Sequence, residues 1–299
     1  MTVLVGTASW TDKTLLECGR FYPADCKTAE ARLRHYASIF PMVEVDSSYY
    51  AIPSINNVRA WAERTPADFV FNIKAFRLFT GHQTEPKVLG KDIVAELPER
   101  LAEKRHVYAN ELPGDLLDEL WRRYLLAIEP LQDARKLKAV LFQFAPWVVA
   151  DRDGHAYVRE CVERMRGQTV AVEFRNKSWF ERANTASTLE FMRGMGVVHV
   201  VVDAPQVTTA NRVPAIWDIT TPRLAILRLH GRNHRTWNVK GGVASDRFDY
   251  DYTEQELAAL VPDIQALERR VEMMQVIFNN NKEDQGQRNS ATLMELLDV

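Results

Sequence analysis

The stretch "TVAVEFRN", Thr169 to Asn176, begins as an apolar, β-branched run and ends with two charges. Val170, Val172 and Phe174 alternate along one face, and Ala171, Glu173 and Arg175 along the other. A strand buried on both faces of a parallel sheet is apolar throughout, and an unpaired buried charge costs several kcal/mol. The charges sit only at the C-terminal end of the run. That is where a parallel α/β barrel keeps its active site.

Seven further runs resemble this one: "VLVGTA" (Val3–Ala8), "MVEVD" (Met42–Asp46), "FVFNIK" (Phe69–Lys74), "AVLFQFA" (Ala139–Ala145), "VVHVVVD" (Val197–Asp203), "RLAILRLH" (Arg223–His230) and "MQVIFNN" (Met274–Asn280). Between them, segments such as "AEARLRHYASIF", "DLLDELWRRYLLAIEPL" and "TEQELAALVPDIQALERRV" place apolar residues at i, i+3 and i+4, the helical period. A last helix is expected from about Arg288 to Leu297. Eight alternating units in 299 residues predict a (β/α)8 TIM barrel, for which about 250 residues is typical; a doubly wound open sheet is the runner-up. No Gly/Ser/Pro-rich linker divides the chain, so residues 1–299 are expected to form one domain. The surplus length lies at Arg77–Pro113, expected to be a long excursion over the barrel mouth between the third and fourth strands, and Ala204–Pro222 shows no clear helix.

Polar residues recur at the strand ends: Glu44 and Asp46, Asn72 and Lys74, Gln143, Glu173 and Arg175, Asp203, Arg228 and His230, and Asn279 or Asn280. One such residue is readily a structural polar, and Glu173 paired with Arg228 or Lys74 would merely neutralise the core. A polar ring at most strand ends is instead what a catalytic mouth requires. In that reading Glu173, His230, Asp203 and Glu44 are the catalytic candidates, with Glu173 as general acid or base and His230 as second proton carrier. Lys74, Arg175 and Arg228 would hold an anion, with Gln143, Arg232, Asn279 and Asn280 as further ligand contacts.

Trp10, Trp147, Trp179 and Trp237 follow strand ends, as do Tyr49 and Tyr50. They either pack loops onto the barrel or offer a stacking surface for a sugar ring or base; Trp10, Tyr50 and Trp179 are taken as contacts. After the seventh run, Arg228, Arg232, Arg235, Lys240 and Arg247 oppose only Asp246, with Gly231, Gly241 and Gly242 among them. This is either an anion-binding turn or a solvated basic loop. Glu173, Asp203 and His230 end consecutive strands and would suit a divalent Mn²⁺, Mg²⁺ or Zn²⁺. No GxGxxG, GxxxxGK[ST], HExxH or GxSxG motif is present.

A net charge of -2 gives no general attraction to nucleic acid or membrane surfaces. Cys18, Cys26 and Cys161 form no metal spacing and no disulfide framework. No stretch reaches the roughly 18 apolar residues of a membrane span, and "MTVLVGTASW" lacks a signal-peptide pattern. A cytoplasmic protein with a small anionic or sugar-like ligand is expected, nucleic acid being the second candidate partner.

The motifs "VGTASW", "FYP", "VEVDSSYYAIPS", "FNIKAF", "LFQFAPW", "VEFRNKSWF", "VDAP", "RLHGR" and "FNNNKEDQGQRN" resemble, in order and spacing, those of the YecE-like family (domain of unknown function 72). The resemblance spans nearly the whole chain. It implies a TIM barrel and no particular reaction, and it marks Glu44, Lys74, Gln143, Glu173, Arg175, Asp203, Arg228, His230, Asn279 and Asn280. Asp46 stands where that family's motif has Asn, adding a charge, and Phe144-Ala145 replaces the more usual Leu-Pro.

Overall fold

The structure, a computed structural model, describes residues 2–205, 213–235 and 248–299. Each of the eight apolar runs is a strand: β1 (Thr2–Ala8), β2 (Met42–Val45), β3 (Val70–Lys74), β4 (Leu137–Gln143), β5 (Val170–Glu173), β6 (Val198–Asp203), β7 (Leu224–Leu229) and β8 (Met273–Phe278). They close into a barrel in sequence order, β8 pairing with β1, and every neighbouring pair is parallel. The closed (β/α)8 architecture expected from the alternation is therefore present, and the open sheet is not.

Outside the barrel lie helices at Ala29–Ala37, Ile55–Glu63, Gly114–Asp133, Arg152–Arg164, Thr185–Met195, Glu254–Glu268 and Gln285–Leu297. Their starts follow capping chemistry. Thr253 accepts from the Glu256 amide while Glu256 reaches back to the Thr253 amide, a reciprocal box opening the helix Glu254–Glu268. Asp151 caps Arg152–Arg164 through the Gly154 amide. No described helix is long and apolar enough to cross a membrane.

The strands' two faces have different tasks. One face, including Val43, Phe71, Ile73, Val140, Phe142, Val170 and Val172, packs on the helices. The other turns into the barrel, where Ala8, Met42, Ala139, Leu141, Ala171, Val198, Val200, Val202, Leu224, Ile226 and Ile277 form one apolar cluster. Continuing those inward faces by the period of 2 brings Glu44, Lys74, Gln143, Glu173 and Arg228 above that apolar floor.

Gly6 is the inward residue of β1 beside Met42. A Cβ there would lie 2.3 Å from the Met42 carbonyl oxygen, so only glycine lets β1 approach β2. Gly6→Ala is expected to lower stability by about 1–3 kcal/mol, because the contact is with rigid backbone. Urea unfolding measures this; an unchanged midpoint would show that the β1–β2 seam has slack.

The segment expected to lie over the mouth does so in part. Arg77–Thr80 forms a 3-10 turn at the rim and His82 lies against Tyr49 and Trp147, whereas the middle of the segment packs on the barrel's outer wall. Leu89, Ile93, Leu97 and Leu101 are buried in the same core as Leu116 and Leu120 of the helix Gly114–Asp133. Phe79 stacks on Trp121 with ring centroids 3.7 Å apart. Four aliphatic side chains gain more from that apolar wall than from a polar opening.

Candidate functional site

The site begins at the end of β5. Gln143 of β4 pairs in register with Glu173, and the Phe144 amide donates to the Glu173 carbonyl oxygen at 3.0 Å. Asn176 then turns the chain. Its side chain donates to the Pro146 carbonyl at 2.6 Å and accepts from the Ser178 amide at 2.9 Å, capping the turn Lys177–Trp179. The strand thus stops at Glu173, and the chain turns at Asn176 with the Arg175 side chain folded back onto Glu173.

Glu173 is fully buried, and donors converge on both carboxylate oxygens. Oε1 accepts from Gln143 Nε2 at 2.7 Å, Arg175 Nη1 at 3.0 Å and His230 Nε2 at 3.0 Å. Oε2 accepts from Arg228 Nη1 at 2.5 Å. Arg228, itself 0% exposed, reaches the other way to Glu44 Oε1 at 2.5 Å, so one guanidinium bridges two carboxylates. Nearer the opening, Lys74 Nζ pairs with Asp46 at 2.9 Å. Three carboxylates thus face three cations.

The shared arginine does not treat its carboxylates equally. Burial works to raise the Glu173 carboxyl, but the charges of Arg228 and Arg175 and the His230 contact hold it well below the usual range. For Glu44 burial dominates and the carboxyl is raised despite Arg228, with Asp46 adding repulsion. Asp46 is lowered: burial pushes it up, but the charge and hydrogen bond of Lys74 together with the Arg228 charge outweigh that.

His230 is held as a neutral imidazole. Asn279 Nδ2 donates to its Nδ1 at 2.8 Å, so Nε2 carries the proton donated to Glu173. Burial pushes its pKa down to about 3, Glu173 opposing and Arg228 and Arg175 assisting. The ring also stacks near Phe248, with centroids 5.6 Å apart. An unfolded histidine takes up a proton near 6.5, whereas His230 does so only near 3. Unfolding therefore binds a proton in that window, and stability falls as pH drops through it. Glu173 adds to the loss below the ordinary glutamate value, whereas the raised Glu44 opposes it. Melting temperature is expected to fall from about pH 7 to about pH 4.5, less steeply in His230→Gln. Identical slopes in thermal melts of both proteins would contradict a neutral buried His230.

The structure brings together Glu44, Lys74, Gln143, Glu173, Arg175, Arg228, His230 and Asn279. It does not bring Asp203, Arg232 or Asn280 to them. Val198, Val200 and Val202 point inward, so Asp203 faces the helices. There Arg232 Nη2 donates to Asp203 at 3.0 Å, Tyr252 Oη donates to it at 2.6 Å, and Arg232 also meets Glu256 at 3.3 Å. Asn280 likewise faces outward, donating to the Tyr250 carbonyl and Asn289. Glu173, Asp203 and His230 consequently do not converge on a metal position, and among the described residues no group of three or more His, Cys, Asp or Glu is arranged to hold one.

Of the aromatic candidates, Trp179 is buried, stacked 3.8 Å from Phe174, and Trp10 is buried against Trp61; both pack loops. Tyr50 and Trp147 are exposed at 49% and 54%. Trp237, Lys240, Gly241, Gly242, Asp246 and Arg247 lie outside the described residues.

Sequence reasoning missed three neighbours of the site. Gln275 accepts from Asn72 at 2.7 Å beneath the charges, and inward parity on β8 could have found it. His82 lies against Tyr49 and Trp147. Arg77 lies against Tyr49, three residues after Lys74.

Comparison with known proteins fits this architecture. The chain is 32% identical over 301 residues to the UPF0759 protein YunF of Bacillus subtilis (strain 168), covering 99% of this chain and 95% of that one. A DUF72 family protein from Enterococcus faecalis V583 superposes with a TM-score of 0.79 at 27% identity, covering 100% of this chain and 96% of the other. One from Thermotoga maritima MSB8 gives 0.77 at 29% identity, with both chains fully covered. Residues 4–299 match the family described as "Protein of unknown function DUF72", and the chain belongs to it.

Proposed function

We propose that the protein is an enzyme acting on a small polar, anionic ligand, such as a sugar phosphate or nucleotide fragment, bound at the C-terminal mouth of the barrel. The observation carrying this reading is a set of buried, inward-facing polar atoms without hydrogen-bond partners among the described residues: Glu44 Oε2, Asn72 Oδ1 and Arg228 Nε. Buried polar groups are nearly always satisfied, so a cluster of exceptions beneath a charged opening supports a ligand that completes them.

Two carboxylates whose proton affinities are driven apart by their surroundings are the usual basis of acid–base chemistry. Here Glu44 is raised and has a free oxygen, whereas Glu173 stays ionised with both oxygens occupied. In this proposal Glu44 carries the proton. Glu173 is the fixed charge that orients His230 and Arg228, a different role from the general acid or base expected from sequence. Lys74 and Arg175, nearer the opening, receive the anion. Arg228 is bridged between two carboxylates through its terminal nitrogens and acts through them.

EDTA-treated protein screened by thermal shift against phosphorylated sugars and nucleotides tests the reading. At least one phosphorylated compound is expected to raise the melting temperature progressively with concentration. No stabilisation by any anion would contradict it.

A further inference from the structure

Arg77 stands out at the rim. Its guanidinium lies 5.3 Å from the centroid of the Tyr49 ring, and Lys74 Nζ lies 4.6 Å from the same centroid. Among the described residues no carboxylate pairs with Arg77, and its Nε is buried without a hydrogen-bond partner. Lys74, by contrast, has Asp46. A partly buried cation without a counter-charge is costly, and an arginine fork matches a phosphate.

From Tyr49 a row of rings leads away from the mouth. His82 meets Tyr49 edge-on at 5.4 Å and Trp147 at 5.7 Å, and Tyr108 meets Trp147 edge-on at 6.3 Å. His82 is neutral, burial and the charges of Lys74, Arg77 and Arg175 lowering its pKa to about 3. Trp147 and Tyr108 line a cavity of about 540 Å³ with Gly81, Asn110, Glu111 and Tyr157. The Trp147 ring is held in place by its Nε1–H, which donates to the Gly81 carbonyl at 2.8 Å, leaving a 54% exposed residue whose one polar hydrogen is used. Tyr157 Oη already donates to the Phe79 carbonyl, and Glu111 already accepts from Lys104 and the Tyr108 amide. Asn110 and the Tyr108 hydroxyl remain for polar contacts, and the exposed Trp147 ring offers the π-face that a flat base needs.

We propose that Arg77 and Trp147 form a nucleotide subsite beside the barrel mouth, the base stacking on Trp147 and the phosphate resting on Arg77 with Lys74. The inference rests on the reading of the mouth as an anion site and names the ligand class. Calorimetric titration with inorganic phosphate, ribose 5-phosphate and AMP tests it. Wild type binds AMP more tightly than ribose 5-phosphate. Trp147→Ala weakens AMP binding roughly 10-fold, the scale of one lost base stack, and leaves ribose 5-phosphate unchanged. Trp147→Phe, which keeps a ring, retains part of the preference, and Arg77→Gln weakens all three ligands. Equal affinities for AMP and ribose 5-phosphate in wild type, or an unaltered preference in Trp147→Ala, overturns the subsite while leaving the mouth as an anion site. If none of the three binds, both readings fall.

Discussion

Arg228→Met is expected to destabilise the protein by about 3–5 kcal/mol or more, the scale of breaking a buried ion pair by removing one partner. Arg228 is fully enclosed and bridges Glu44 and Glu173, which are 1% and 0% exposed. Methionine fills a similar volume but leaves two carboxylates facing each other in the barrel. Glu44, already raised with Arg228 in place, would take a proton, and Glu173 would lose a counter-charge holding it ionised. Urea unfolding at neutral pH measures the effect as a lowered midpoint with an unchanged slope. A loss under about 1 kcal/mol, the value of an exposed pair, would mean that water rather than Arg228 compensates the two acids.

Glu173→Gln is expected to cost about 3 kcal/mol or more, although the swap preserves shape. Every neighbour of the carboxylate is a donor: Gln143 Nε2, Arg175 Nη1 and His230 Nε2 at one oxygen, Arg228 Nη1 at the other. Whichever way the amide is turned, its NH₂ faces a donor. From sequence alone the expectation is different: a functional Glu173 predicts an equal or higher melting temperature and a weakened ligand response, a structural one a large loss. The geometry makes the residue structural to the layer that shapes the site. The cations survive the substitution, so stabilisation by phosphate is expected to persist or grow while the unliganded melting temperature falls. An unchanged melting temperature would show that the donors around Glu173 relax freely.

The barrel was legible because strands buried on both faces form continuous apolar runs, and the helices between them are amphipathic with a different period. The inward set was legible where a strand contrasts its faces, as in β5 with Ala171 and Glu173 against Val170 and Val172. It was not legible in β6. Valines occupy both of its faces and obscure the one cue, His199, whose parity with Asp203 places both outward, Asp203 toward Arg232 and Tyr252. Asn279 and Asn280 are adjacent and chemically identical, and only the parity of Gln275 and Ile277 separates them. Trp10 and Trp179 follow strand ends as Trp147 does, but whether an indole is buried depends on partners distant in sequence, such as Trp61 and Val148. Arg77 escaped notice because its distinction, the lack of a carboxylate partner among the described residues, is visible only in three dimensions.

The central claim, that the mouth is an anion site built on a self-compensated charge layer, is tested most directly by the electron density of crystals grown with a phosphorylated sugar. The account predicts phosphate density within about 2.7–3.0 Å of Lys74 Nζ and of the Arg77 or Arg175 guanidinium, with the Glu173–Arg228–Glu44 bridge intact beneath it. Phosphate bound only elsewhere on the protein, with the mouth holding nothing but water at saturating ligand, would contradict it.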